Sequence, residues 1–367
     1  MSEFIKKKAR PQIFNLKPYV PGKPIEEVQR ELGIDDIIKL ASNENPLGPS
    51  PLGQKAFSEV VDKLHIYPDA NCFRLKQKLS ELLDCTPQEL LVGNGSDELL
   101  KLLAETFLNP GDEIIFAQPS FAEYEFTATI MGATSVKIPL IDFKHDLNAM
   151  LAAITPRTKM LYICNPNNPT GTIVTAEEID SFMTRVPHDV LIIFDEAYYE
   201  YVESPSYVSG IKYVKDGRNA VVLRTFSKIY GLAALRVGYG VTTPDIAAAV
   251  ERVTEPFNVN TPAQVAAAAA LDDKEHLEQS RKVNQTGKNY LYEEFEKLQL
   301  KYLKTDANFI FVDTGKDSKE VFQGLLKQGV IIRSGDIFGY PTYIRVTVGN
   351  EKENARFIEG LKKILGA

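Results

Sequence analysis

Lys228 and Arg236 stand eight residues apart in TFSKIYGLAALRVGYG (225–240), a segment otherwise built largely of small and apolar residues. A lysine in such surroundings loses the solvation of its charged form. Its pKa falls, and the neutral amine can form an imine with a carbonyl. Arg236 is a permanent cation suited to a phosphate. Two other stretches carry complementary groups: NPNNPTG (165–171) presents Asn168, and FDEAYYEY (194–201) presents Asp195 and Tyr198. A carboxylate such as Asp195 can pair with a protonated ring nitrogen and strengthen that ring as an electron sink. A tyrosine hydroxyl and an asparagine amide can hold a ring oxygen, and Ser227 with Arg236 can bind a phosphate. Taken singly these residues say little, because an Asn-Pro pair usually marks a turn and an aspartate ending a strand usually caps a helix.

The elements that must position them make the set specific. The apolar runs EIIFA, KMLYIC, DVLIIFD and NAVVLRT lack strict alternation and are separated by helical stretches, as expected for strands buried on both faces of a parallel sheet. Asn168, Asp195 with Tyr198, and Ser227 with Lys228 follow three successive runs. In open parallel sheets ligands bind outside the carboxyl ends of the strands. GNGSDELL (93–100) adds a helix start with Ser96 as its expected N-cap and two glycines that let the backbone approach a phosphate. Together these residues describe a site for pyridoxal 5′-phosphate.

The remainder of the chain reads as an α/β layer fold, with a large domain of mostly parallel sheet flanked by helices and a smaller α+β domain. We expect residues 1–50 to form an arm, 51–260 the large cofactor-binding domain and 261–367 the small domain. The arm holds the amphipathic PIEEVQRELG (24–33). The C-terminal part alternates a long, interrupted helical stretch from 261 with strand-like NFIFVDT, VIIRSG and YIRVTVG. A net charge of −7 over 367 residues argues against a nucleic-acid binder, and the basic run at Lys6–Arg10 is short. Apolar runs fall well short of a membrane span, and no secretory leader is legible. The three cysteines (Cys72, Cys85, Cys164) fit a reducing cytoplasm, and the scattered histidines (His65, His145, His188, His276) have no metal-ligand spacing, so no metal is expected.

In order and spacing, LKPYVPGKP, KLASNENPLGPSP, YPD, GNGSDE, QPSFAEY, NPNNPTG, FDEAYYEY, TFSKIYGLAALRVGYG and YIRVTVG resemble the fold-type I pyridoxal-phosphate-dependent aminotransferases, and among them the branch that acts on histidinol phosphate. The resemblance implies that Lys228 carries the cofactor and shuttles the proton, that Asp195 pairs with the pyridinium nitrogen, and that Asn168 and Tyr198 hold the ring oxygen. It assigns the cofactor phosphate to Gly95, Ser96, Asp97, Ser227 and Arg236 with help from Thr225, and the ring face to Phe121. Tyr67 would reach the cofactor phosphate of the other subunit in a homodimer. Ala234 departs from the glycine common at that position, without touching the chemistry.

For the substrates, the resemblance implies Arg345 as the guanidinium that binds an acidic group in both half-reactions, with Arg333 and Tyr19 adding contacts to a substrate phosphate and Asn43 near the substrate amine. The implied reaction is a ping-pong exchange between L-histidinol phosphate and the pair glutamate/2-oxoglutarate. An aromatic amino acid aminotransferase and a phospho-amino-acid decarboxylase are the neighbouring readings. A nicotinamide enzyme is disfavoured because GNGSDE lacks the third glycine of the dinucleotide fingerprint, and a transcription regulator because no segment before the motifs would hold a DNA-binding module.

Overall fold

The computed structural model describes residues 2–16 and 22–366. Its centre is a seven-stranded sheet. In spatial order the strands are Leu90–Gly93, Gly238–Thr242, Ala220–Thr225, Leu191–Asp195, Thr158–Cys164, Glu113–Gln118 and Thr134–Pro139. All neighbours pair parallel except Gly238–Thr242, which runs antiparallel to both of its partners. Successive side chains point to opposite faces, and both faces are covered: Leu161, Ile163, Ile192, Phe194 and Val222 enter one core, while Met160, Tyr162, Ile193, Val221 and Leu223 enter the other. Two buried faces explain why these strands read as unbroken apolar runs.

A second sheet of four strands holds Lys301–Tyr302, Phe309–Asp313, Arg333–Ser334 and Tyr343–Thr347, all antiparallel. Helices Lys274–Lys297, Ser318–Leu326 and Glu351–Leu365 supply its separate core with Leu291, Phe295, Val321, Leu325 and Phe357. The last of these helices starts on a reciprocal cap between Asn350 and Glu353. VIIRSG is split: Val330–Ile331 leaves this sheet and pairs parallel with Ile38–Lys39 of the arm. The arm's amphipathic helix Ile25–Leu32 ends on left-handed Gly33 and seats Val28 against Leu326 and Ile331. The long helical stretch breaks at 271–273, where Asp273 caps the next helix through the His276 amide. The first half, Thr261–Ala270, expected at the start of the smaller unit, instead packs Ala263, Ala266, Ala267 and Ala270 into the core of the large sheet. Small side chains let it lie close against the helix Pro51–Ser58. Among the described residues no helix is long and apolar enough to cross a membrane.

A buried ion pair ties the ends of two central strands. Arg224 is 3% and Glu196 1% exposed, with Arg224 Nη2 donating to Glu196 Oε2 at 2.8 Å and the guanidinium lying 3.4 Å from the Tyr199 ring centre. Ser209 and the Gly210 amide donate to the same carboxylate. Removing one partner strands the other charge out of water. Arg224→Ala is therefore expected to lower stability by about 3–5 kcal/mol; a chemical-unfolding midpoint equal to that of the unmodified chain would contradict this account.

Candidate active site

Strands Thr158–Cys164, Leu191–Asp195 and Ala220–Thr225 lie side by side, so the groups that follow them meet in one cleft. Asp195 ends its strand and is 4% exposed. Its Oδ2 accepts from the Tyr124 hydroxyl at 2.6 Å and its Oδ1 from the Ala197 amide at 3.2 Å. Burial pushes this carboxyl up to about 6, against the opposing pull of the Tyr124 hydroxyl. A carboxylate so enclosed gains from a cationic N–H facing it.

Lys228 sits on the loop between Ala220–Thr225 and Gly238–Thr242. Its Nζ donates to the Ser42 carbonyl at 3.0 Å and lies 5.9 Å from the Tyr198 ring centre. Burial, followed by the nearby Arg345 guanidinium, holds the amine down at about 8. The turn is pinned by the Ser227 amide donating to Thr225 Oγ1 at 3.1 Å and the Gly231 amide to the Lys228 carbonyl. Behind Lys228, the Ile229 carbonyl accepts from Asn45 Nδ2 at 2.7 Å.

Beside this loop is a basic corner. Gly95, at φ +86°, occupies the N-cap of the helix Ser96–Phe107, one residue ahead of the expected Ser96. Glycine stands there because a Cβ would lie 2.5 Å from Arg236 Nη2. A Cβ on Gly238 would likewise lie 2.5 Å from the Ser96 amide nitrogen. Arg236 Nη1 donates to Ser227 Oγ at 3.2 Å and Nη2 to Asp97 Oδ2 at 3.2 Å; the arginine side chain is 41% exposed. Helix-start amides, a serine hydroxyl and a guanidinium thus lie close together at this corner, a donor set that suits a phosphate.

Arg345, on the strand Tyr343–Thr347, donates Nη1 to Asn168 Oδ1 and Nη2 to the Ala41 carbonyl, both at 2.6 Å. The rings of Phe309 and Phe338 lie 5.2 and 5.8 Å from its guanidinium carbon. Arg333 is its cross-strand partner in register. The Tyr198 hydroxyl accepts from Asn43 Nδ2 at 3.0 Å and from Asn168 Nδ2 at 3.4 Å. Asn43, 1% exposed, is held in turn by Thr347. Phe121 packs on Tyr124 edge to face.

The cleft thus brings together Lys228, Asp195, Tyr198, Asn168, Asn43 and Arg345, with Gly95, Ser96, Asp97, Ser227 and Arg236 at the corner and Thr225 and Phe121 alongside. Tyr67 is not among them: it is 80% exposed and stacks on Phe257 at 4.9 Å. Tyr19 lies outside the described residues. Sequence reasoning missed Tyr124, whose only signal is its three-residue spacing from Phe121, and the carbonyls of Ala41 and Ser42, which no residue type announces.

A family model, "Aminotransferase class I and II", matches residues 35–361. The chain is 58% identical to a histidinol-phosphate aminotransferase of Moorella thermoacetica over 98% of this chain and 93% of that one. It is 49% identical to one of Caldicellulosiruptor saccharolyticus over 97% and 99%. Among solved structures, a histidinol-phosphate aminotransferase of Sinorhizobium meliloti in complex with pyridoxal-5′-phosphate superposes with a TM-score of 0.90 at 27% identity, covering 98% of both chains. The sequence match runs through both sheets and through every group gathered in the cleft, and this chain belongs to the class I and II aminotransferases.

Proposed function

We propose that the chain exchanges an amino group between L-histidinol phosphate and 2-oxoglutarate, giving imidazole-acetol phosphate and L-glutamate, with pyridoxal 5′-phosphate as cofactor. The reaction class rests on one observation: a half-buried lysine amine held at about 8 lies in the same cleft as a buried carboxyl held at about 6, on neighbouring strand ends. The choice of substrate is supported by the names of the relatives above and by the opposed pair Arg333 and Arg345.

The residues present fit the cofactor. Asp195 would face its ring nitrogen, Tyr198 and Asn168 its ring oxygen, and Phe121 its ring face. The corner of Gly95, Ser96, Asp97, Thr225, Ser227 and Arg236 would hold its phosphate. Bound there, the cofactor supplies an aldehyde carbon for an amine and a ring that accepts electron density. Lys228 does the proton work: its neutral Nζ can take a proton and return it, and Ser42 holds it in place meanwhile. Tyr124 keeps the Asp195 carboxylate oriented. Arg345 releases Asn168 and Ala41 to grip the acidic group of whichever substrate enters, so one site serves both half-reactions. Arg333, Tyr19 and Asn43 would complete the substrate contacts.

A homodimer is part of this reading. Leu64, Ile66, Tyr67, Phe73 and Phe257 are exposed large apolar residues around the Tyr67–Phe257 stack, a surface that a second copy would cover while Tyr67 reached the partner's site. The free cysteines, two of them buried, suit a reducing cytoplasm. We also read the chain as three parts, with the division between the larger and smaller units falling near the break at 271–273.

The rings of Phe309 and Phe338 beside Arg345 favour one second reading, an aromatic amino acid aminotransferase. Steady-state assays separate the two: kcat/KM is expected to be higher for histidinol phosphate than for phenylalanine, and the reverse order would reject our choice. In the same assay Arg345→Lys should raise KM for both acidic substrates by about 10- to 100-fold, through loss of the paired guanidinium hydrogen bonds.

Lys228→Ala should leave the fold intact, remove the visible absorbance band that depends on the bond between Lys228 and the cofactor, and cut turnover by at least about a thousandfold; a variant that keeps that band would sink the assignment. The pH dependence follows from the same group. Below about 8 the amine is protonated and cannot attack. Capture of pyridoxal phosphate by the apoprotein should thus accelerate about tenfold per pH unit up to about 8 and then level off, whereas a rate still climbing steeply at pH 9.5 would mean an unshifted lysine. In sedimentation at micromolar concentration the protein should run as a dimer; an active monomer would refute the shared site.

A further inference from the structure

The segment Ile141–Lys144 folds back on itself, with Ile141 and Lys144 exchanging both backbone hydrogen bonds at 3.0 and 2.9 Å. Its two central residues, Asp142 and Phe143, both have positive φ, +48° and +63°. Such turns are normally Asn-Gly or Asp-Gly, because the second position forces a Cβ against the following carbonyl. A phenylalanine held there is strained, and strain of this kind persists where the surrounding structure uses it.

Its surroundings show the use. On one side the Phe143 carbonyl accepts from Thr172 Oγ1 at 2.6 Å. Thr172 belongs to the loop that carries Asn168, and that loop is braced from below by His145, whose Nε2 meets Asn167 Oδ1 at 3.1 Å. On the other side the Phe143 ring packs on Tyr340 and Tyr343, with centroids 5.4 and 5.7 Å away. Tyr343 is two residues before Arg345 on one strand, hence on the same face, and it stacks on Phe311, the register partner of Arg345. The turn therefore has its backbone tied to the loop of the large sheet and its ring set into the small sheet, next to the strand that aims Arg345.

We propose that Phe143 is a positioning residue: its ring docks the strand bearing Arg345 against the loop bearing Asn168, and so sets where the guanidinium meets the acidic group of the substrate. This rests on the reading of Arg345 as the group that binds that acid. The contacts of Phe143 go to Thr172, Tyr340 and Tyr343. A glycine in its place would relax the turn yet lose the ring, which separates the two contributions.

The test uses the holoenzyme with Phe143→Ala, Phe143→Gly, Phe143→Tyr and Arg345→Lys, and with succinate as a non-reacting probe titrated by the change in cofactor absorbance. Phe143→Ala and Phe143→Gly should each weaken succinate binding and raise KM for 2-oxoglutarate about tenfold, the loss of two ring contacts. The free enzyme should keep its visible absorbance, because Lys228 itself is unaltered. Phe143→Tyr should bind succinate within about twofold of the unmodified enzyme, and Phe143→Gly should melt at or above the temperature of Phe143→Ala. In the Arg345→Lys background Phe143→Ala should add less than about twofold, since the two act on one contact. Succinate binding unchanged in both Phe143→Ala and Phe143→Gly, while Arg345→Lys weakens it, would overturn the proposal and leave the reading of Arg345 standing. Unchanged binding in Arg345→Lys would remove that reading itself, and the proposal with it.

Discussion

Four residues near the end of the arm hold the cleft together. The Ala41 carbonyl takes Arg345, the next carbonyl, of Ser42, takes Lys228, the Asn43 side chain reaches the Tyr198 hydroxyl, and the Asn45 side chain reaches the carbonyl after Lys228. Consecutive groups can serve different elements because Asn43 turns the backbone through a left-handed conformation, φ +59°, which asparagine tolerates better than most side chains. This short segment is the place where the Lys228 loop of the large sheet and the Arg345 strand of the small sheet share partners. The fold around it mostly serves to deliver those partners to the right side of it.

The constraint that this segment answers is electrostatic. Lys228, Arg236 and Arg345 converge on one cleft. Burial and mutual repulsion drive the amine toward its neutral form, which is the form with a lone pair. The arginines cannot respond in this way and must be held by oxygen atoms: Ala41 and Asn168 for Arg345, Ser227 and Asp97 for Arg236. One side chain is thereby made reactive by the same neighbours that keep their own charge. The deeper pair Arg224–Glu196 is closed on itself and fixes the strand ends without adding net charge to the cleft.

The sequence reveals the parts that carry a residue-type signature and hides the parts made of backbone. The parallel strands are legible because burial on two faces leaves unbroken apolar runs, and the cleft is legible because Asn168, Asp195 and Lys228 each follow such a run. Strand Gly238–Thr242 is not, since glycines, a tyrosine and a threonine make up most of it. The pairing of Ile38–Lys39 with Val330–Ile331 is also hidden: two residues on each side give no period to read. The helix begins at Ser96 as its pattern indicates, but Gly95 takes the N-cap in place of serine, where a Cβ would collide with Arg236. Polyalanine at 266–270 signalled a helix but not its neighbour; only the packing shows that small side chains serve the large core.

The segment Ala41–Asn45 leaves the ribosome early, yet its hydrogen-bond partners lie far down the chain, 186 residues away at Lys228 and 304 at Arg345 and Thr347. Until the last strand has been synthesised the Ala41 carbonyl and the Asn43 amide lack their partners Arg345 and Thr347. Closing the cleft therefore carries the loop-closure entropy of those long separations.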